Sequence, residues 1–194
     1  MTVPTSGICA VPQDMDPAEA APLFCVGLTV YKAMTRNTVP RGSLVAVHGV
    51  GGLGHLAIQY SKVMGYRTRI YIDESTQDAV QELQKLGGAD MIITTVPNAA
   101  GVWNILGGLG YDGKLVITSV PAEPAFLHPA LLCMKRLVIV GEFVGDANDC
   151  AETIAFSNTH GIKPMVETFP LDKALEAFDH RPKARFRSVV LPWA

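Results

Sequence analysis

The chain has 194 residues, 48% of them hydrophobic and 18% charged, with a formal net charge of −2. That composition supplies a sizeable core and excludes a disordered chain. The near-neutral charge excludes an electrostatic footprint for nucleic acid or an anionic membrane.

The N-terminus lacks a basic segment followed by an apolar one. The longest weakly polar run, 20–31, is too short to span a bilayer and contains Pro22 and Gly27. Four widely spaced cysteines (Cys9, Cys25, Cys133, Cys150) include no C-x-x-C pair, so neither a zinc knuckle nor a redox pair is encoded locally. A soluble, cytoplasmic protein is expected, with no nucleic-acid or membrane partner.

Residues 1–15 read as extended. Asp16-Pro17-Ala18-Glu19 has the form of a helix start, with an N-cap carboxylate, Pro at the first helical position and an acid at N3. That helix runs to about Thr35, broken near Pro22 or Gly27. Pro40-Arg41-Gly42 is a turn, and 44–48 is a short apolar strand. A helix over 54–64 sets Leu56, Ala57, Tyr60, Val63 and Met64 on one face and stops at Gly65. Further along, 68–72 reads as a strand, 75–86 as a helix stopped by Gly87-Gly88, 91–96 as a strand and 98–109 as a helix. Strands follow at 114–118 and 137–140, helices at 147–160 and 172–180, and a last strand at 188–191. Lys183, Arg185 and Arg187, spaced by two, suit one edge of a strand. Alternating strands and helices with uninterrupted apolar strands predict an α/β fold: a doubly wound parallel sheet covered on both faces, with ligands at the strand C-termini.

The strand at 44–48 runs straight into Gly49-Val50-Gly51-Gly52-Leu53-Gly54 and a helix. In this context G-x-G-x-x-G is a dinucleotide fingerprint. Gly49 permits the tight turn, Gly51 lets backbone approach a pyrophosphate, and Gly54 lets helix and strand pack closely. The helix N-terminus offers free N–H groups to phosphate. The alternative is a glycine-rich turn with no ligand. An acid about 20 residues on, to hold the ribose hydroxyls, completes the fingerprint. Asp73 stands there, although Asp73-Glu74 also reads as the ordinary opening of the next helix.

The match extends beyond the glycines. Residues 20–33 (Ala-Ala-Pro-Leu-Phe-Cys-Val-Gly-Leu-Thr-Val-Tyr-Lys-Ala), 51–60, Gly113-Lys114-Leu115-Val116, 140–145 and Ala184-Arg185-Phe186-Arg187 resemble signatures of the zinc-containing medium-chain alcohol dehydrogenases. The resemblance implies a Rossmann-like domain binding NAD or NADP, preceded by a remnant of another domain (1–15) and followed by a C-terminal strand and tail (181–194). It implies that Cys25 is a ligand of the catalytic zinc, that Thr29 lies near the nicotinamide, and that Gly49, Gly51, Gly52, Leu53 and Gly54 hold the pyrophosphate. Val96, Ser119, Val120, Phe143 and Val144 match contacts to the nicotinamide half, and Arg187 matches a cofactor-contacting arginine. Read without the family, Cys25 is a small core residue and Thr29 a helix-interior side chain.

Two departures qualify the resemblance. The family's N-terminal catalytic domain, which carries the other zinc ligands, has no counterpart in the sequence, so zinc is not expected to be retained. The cofactor domain is short by about one strand–helix unit. If the gap lies near Thr68-Arg69, Asp73 loses the ribose role unless strand 68–72 takes the vacated slot. If it lies near Ala89-Asp90, Asp73 keeps that role. The resemblance therefore implies NAD(P)-linked hydride transfer between alcohols and aldehydes or ketones by the intact relative, with a weak or inactive isolated chain. The alternatives are a non-catalytic dinucleotide-binding or interaction module, a truncated gene product exposing Leu23, Phe24, Val190, Leu191 and Trp193, and a zinc-free quinone reductase, against which Cys25 counts. Strand 137–140, continued to Val144, is the candidate edge for a homo-oligomer or for pairing with a full-length relative.

Overall fold

Among the described residues, four strands lie in parallel, hydrogen-bonded in the order β1 (Val45–His48), β2 (Ala89–Thr94), β3 (Leu109–Ile117), β4 (Val138–Gly141). The computed structural model describes residues 2–68, 72, 74–124, 127, 129–181 and 183–193. Alternation along the strands divides their side chains between two faces. Val45, Met91, Ile93 and Val116 join Leu28, Met34, Leu56, Tyr60 and Ile154 in one core. Ile92 and Leu115 join Leu83, Val102, Ile105 and Leu106 in the other. The first core is covered by α2 (Leu28–Arg36), α3 (Gly54–Val63) and α7 (Ala147–His160), the second by α4 (Ala79–Lys85) and α5 (Ala99–Asn104). This is the expected Rossmann-like α/β architecture.

Beyond β1 the described pairing is one parallel bridge, Leu44 to Arg67. Residues 69–71 of the expected strand 68–72, and Asp73, lie outside the described residues.

The first helix is interrupted where the sequence places the break. α1 (Pro17–Pro22) starts at an Asp16 side chain that accepts from the Ala18 N–H, and a π turn, Leu23–Gly27, separates it from α2. α7 follows its signals closely. Asp146 and Asp149 form a reciprocal capping box, and Gly161 closes the helix in the left-handed region at φ 64°. Three ion pairs pin α2 to α7: the Lys32 ammonium lies 2.8 Å from Asp149 and 2.8 Å from Glu152, and Arg36 lies 2.7 Å from Asp149.

Several expectations need correction. The helix expected from Ser75 begins at Ala79, because the Asp78 carboxylate accepts from the Val80 and Gln81 N–H groups and sets the N-cap there. The helix expected over 98–109 ends as a 3-10 turn at Gly108, and β3 begins at Leu109. α6 (Pro129–Lys135) and β5 (Val166–Pro170) were not expected. The last strand, β6 (Arg187–Leu191), pairs in parallel with β5 in a separate two-stranded sheet, with α8 (Ala174–His180) between them in sequence. Of the side chains expected at an exposed apolar face, Trp193 is 71% exposed but Leu23 is fully buried.

Candidate functional site

The parallel register brings His48, Thr94, Ile117 and Gly141 side by side across the sheet. The segments that leave this row are Gly49–Gly54 after β1, Thr95–Val96 after β2, Thr118–Val120 after β3 and Glu142–Val144 after β4. Gly49–Gly54, Val96, Ser119, Val120, Phe143 and Val144 therefore sit at one end of the four-stranded sheet, the strand C-termini, whereas Arg187 begins β6 of the other sheet. Val120 and Phe143 are exposed there, and Ser119 Oγ is buried without a hydrogen-bond partner among the described residues.

The glycine loop is tightly built. Gly49 has φ 91°, and a Cβ on it would lie 2.8 Å from both Thr95 Oγ1 and Val96 Cγ1. The Thr95 hydroxyl donates to the Gly49 carbonyl at 2.8 Å, fixing the turn to β2. A Cβ on Gly54 would lie 1.9 Å from the Gly49 carbonyl oxygen. Gly51 differs: a Cβ there meets nothing within 4 Å, so the space beside it is open. The α3 N-cap, Leu53, contributes no side-chain hydrogen bond; the His55 and Leu56 N–H groups donate to the Gly51 and Leu53 carbonyls, and those of Gly52, Leu53 and Gly54 have no hydrogen-bond partner among the described residues. The Arg187 guanidinium packs against Gly52, where a Cβ would be 2.0 Å from it. Loop, helix dipole and arginine thus place positive charge beside open space, an arrangement that favours an anion such as a pyrophosphate.

Next to the loop, His55 is buried on α3. Its Nδ1 lies 3.0 Å from the Gly51 carbonyl, its Nε2 accepts the Met165 N–H at 3.1 Å, and its ring stacks on Phe186 at 4.4 Å. Burial pushes its pKa down, the Gly51 carbonyl opposes this, and the Arg187 charge lowers it further. On the other side of the loop, His48 is buried with Nδ1 3.0 Å from Thr94 Oγ1 and Nε2 3.3 Å from Glu74. Burial lowers its pKa against the opposing pull of Glu74. His48 and Glu74 line a cleft of about 560 Å³ with Asp78, Val96, Asn98 and Asn104. A second cleft, of about 530 Å³, runs along β1. Thr95, His55, His48 and Glu74 were not singled out from sequence; a histidine directly after the last motif glycine was the one available signal.

The zinc-side residues are not gathered. Cys25 is exposed in the π turn, which contradicts its reading as a core residue. Thr29 is buried in α2 and donates to the Cys25 carbonyl at 2.8 Å, as a helix-interior hydroxyl does. Among the described residues no group of three or more His, Cys, Asp or Glu side chains is arranged to hold a metal ion, so Cys25 alone does not make a zinc site. Also among the described residues, no helix is long and apolar enough to cross a membrane.

Residues 68–159 match the family described as zinc-binding dehydrogenase. The alcohol dehydrogenase patD of Penicillium expansum is 40% identical over 200 residues, covering 93% of this chain and 58% of its own length. A cinnamyl alcohol dehydrogenase structure from Sorghum bicolor superposes with a TM-score of 0.85 at 25% identity, covering 97% of this chain and 59% of that one. The structure of CAD from Helicobacter pylori complexed with NADP(H) gives a TM-score of 0.78 at 24% identity, over 94% of this chain and 57% of that one. The chain therefore spans less than two thirds of the length of these relatives. Its sheet, its glycine loop and these relatives agree in supporting a cofactor-binding domain of the zinc-containing medium-chain alcohol dehydrogenase type.

Proposed function

We propose that this chain binds a nicotinamide dinucleotide at the C-terminal end of its sheet and serves as the cofactor-binding half of an alcohol dehydrogenase-like oxidoreductase. The observation that carries this reading is the α3 N-terminus: its N–H groups are uncapped by side chains, the space beside Gly51 is open, and Arg187 packs against Gly52. The Gly52, Leu53 and Gly54 N–H groups and Arg187 hold the pyrophosphate. Val96, Ser119, Val120, Phe143 and Val144 lie along the nicotinamide half. His48 and Glu74 bound the cleft on the adenosine side. The bound dinucleotide supplies or accepts the hydride exchanged between an alcohol and its aldehyde or ketone.

The residues described do not fit a zinc ion, since Cys25 has no gathered co-ligands. The isolated chain is accordingly a dinucleotide-binding module with weak turnover or none. Catalysis requires ligands and a substrate pocket from elsewhere, such as a full-length relative. β4 is an edge strand of the sheet, with Val138 45% exposed, and is the surface proposed for pairing with such a relative or with a second copy.

Titration with NADH and NADPH, read by energy transfer from Trp103 and Trp193, tests the reading. Saturable binding that is lost in Gly51→Val supports it, and a folded chain that binds neither dinucleotide refutes it.

A further inference from the structure

The imidazole of His55 faces two backbone groups from opposite ends of the chain. Nε2 accepts the Met165 N–H, so the proton resides on Nδ1, which donates to the Gly51 carbonyl. Only the neutral Nδ1–H form satisfies both contacts. Gln59, one turn later on α3, continues the same contact: its Oε1 accepts the Lys163 N–H at 3.1 Å and its Nε2 donates to the Lys163 carbonyl at 2.9 Å. The polar face of α3 thus reads the backbone of 163–165, which leads directly into β5.

The other strand of that small sheet, β6, starts at Arg187. Phe186, immediately before it, stacks on the His55 ring with 10° between the planes. Phe186 holds φ 109°, a conformation that a residue with a side chain rarely adopts. The surrounding contacts hold that conformation, and the stacked ring is one of them. The charged groups near this joint are Arg187 itself, Arg185, whose guanidinium lies 5.9 Å from the Phe186 ring centroid, and Lys163, whose ammonium is taken up by Glu19 at 2.8 Å.

We infer that His55 is a positioning residue for dinucleotide binding: it ties the glycine loop to the β5–β6 unit through Met165 and Phe186 and thereby holds Arg187 against Gly52. The inference rests on the dinucleotide reading above. His55 acts through Arg187 and the loop rather than on the ligand.

The experiment is a double-mutant cycle on the full chain, with NADH as the probe. His55→Ala and Arg187→Ala are each expected to weaken NADH binding by about tenfold, and the double variant to be weakened by much less than the product of the two. Nitrogen-15 NMR of the wild type is expected to show His55 Nε2 unprotonated at pH 7. Equal affinity of His55→Ala and wild type overturns the inference, as does a strictly multiplicative loss or a proton on Nε2. A wild type that does not bind NADH instead refutes the dinucleotide reading itself. Should His55→Ala fail to fold, Phe186→Ala removes the stacked ring and enters the same cycle with the same expectations.

Discussion

Replacing two glycines of one loop should separate what the fold requires from what a ligand requires. In Gly54→Ala the new Cβ would lie 1.9 Å from the Gly49 carbonyl oxygen and 3.3 Å from Val47 Cγ1. Restoring ordinary contact, about 3.4 Å, requires roughly 1.5 Å of movement, and the crowding atom is backbone. Overpacking of that kind costs about 1–3 kcal/mol. Moving the Gly49 carbonyl also breaks its 2.8 Å hydrogen bond from Thr95, a further loss of about 1 kcal/mol. The expected total is about 2–4 kcal/mol, or a fall in Tm of roughly 5–15 °C for a chain of this size. In Gly51→Ala the Cβ meets nothing within 4 Å, and stability should stay within about 0.5 kcal/mol of wild type. Dinucleotide affinity should nevertheless fall by about tenfold or more, because the methyl occupies the open space assigned to pyrophosphate. Urea unfolding at constant m-value gives the first quantity and NADH titration the second. A Gly54→Ala chain with a wild-type urea midpoint, or a Gly51→Ala chain destabilised as much as Gly54→Ala, would refute the steric reasoning.

Other outcomes follow from the same geometry. His48 and His55 have pKa values lowered by burial, so their contribution to stability is complete above the unfolded value of about 6.5 and is lost as pH falls below it; the urea midpoint should decline through that window, and less steeply in His48→Gln. Lys32→Met should cost about 1–2 kcal/mol in urea unfolding: Asp149 loses a 2.8 Å partner but keeps Arg36 at 2.7 Å, so the full penalty of an isolated buried charge does not arise. In thiol titration of the native chain, Cys25 and Cys133 should react first, being exposed. Cys150, buried and with its thiol pushed up to about 12 by burial and by the neighbouring Cys9, should react only on unfolding.

Sequence made the main sheet readable because its signals are local. Met91, Ile92 and Ile93 are all apolar because both faces of β2 are covered, and that alone separates a parallel strand from a half-exposed one. Asp16-Pro17, the Asp146–Asp149 box and Gly161 announce helix ends through groups a few residues apart. β5 was missed because Val166–Pro170 ends in proline, buries little and gains its pairing only from β6, some 20 residues away. α6 has no buried residue and so no stripe to detect. At the site, the glycines were legible because their spacing directly follows β1 and two of them meet demands set within the loop: Gly49 holds φ 91° and Gly54 faces the Gly49 carbonyl. His55 was not, because its partner Met165 is 110 residues distant and no spacing rule links a helix side chain to a remote backbone N–H. The start of the helix after Asp73 was misplaced because Asp78, four residues past the Glu74 that seemed to open it, makes the actual cap.

The two-stranded sheet of β5 and β6 has a consequence for motion. An isolated pair of strands is marginal in water and depends on what it packs against. Here those supports are α8, α1 and the joint at His55. Such a unit opens locally at a lower free energy than the four-stranded sheet, and Arg187 travels with it. A ligand gripped between the glycine loop and Arg187 suppresses that opening in proportion to its affinity. Protease cleavage in the 181–186 segment, slowed by bound dinucleotide, would therefore report on a binding event whose contacts lie mostly on another sheet.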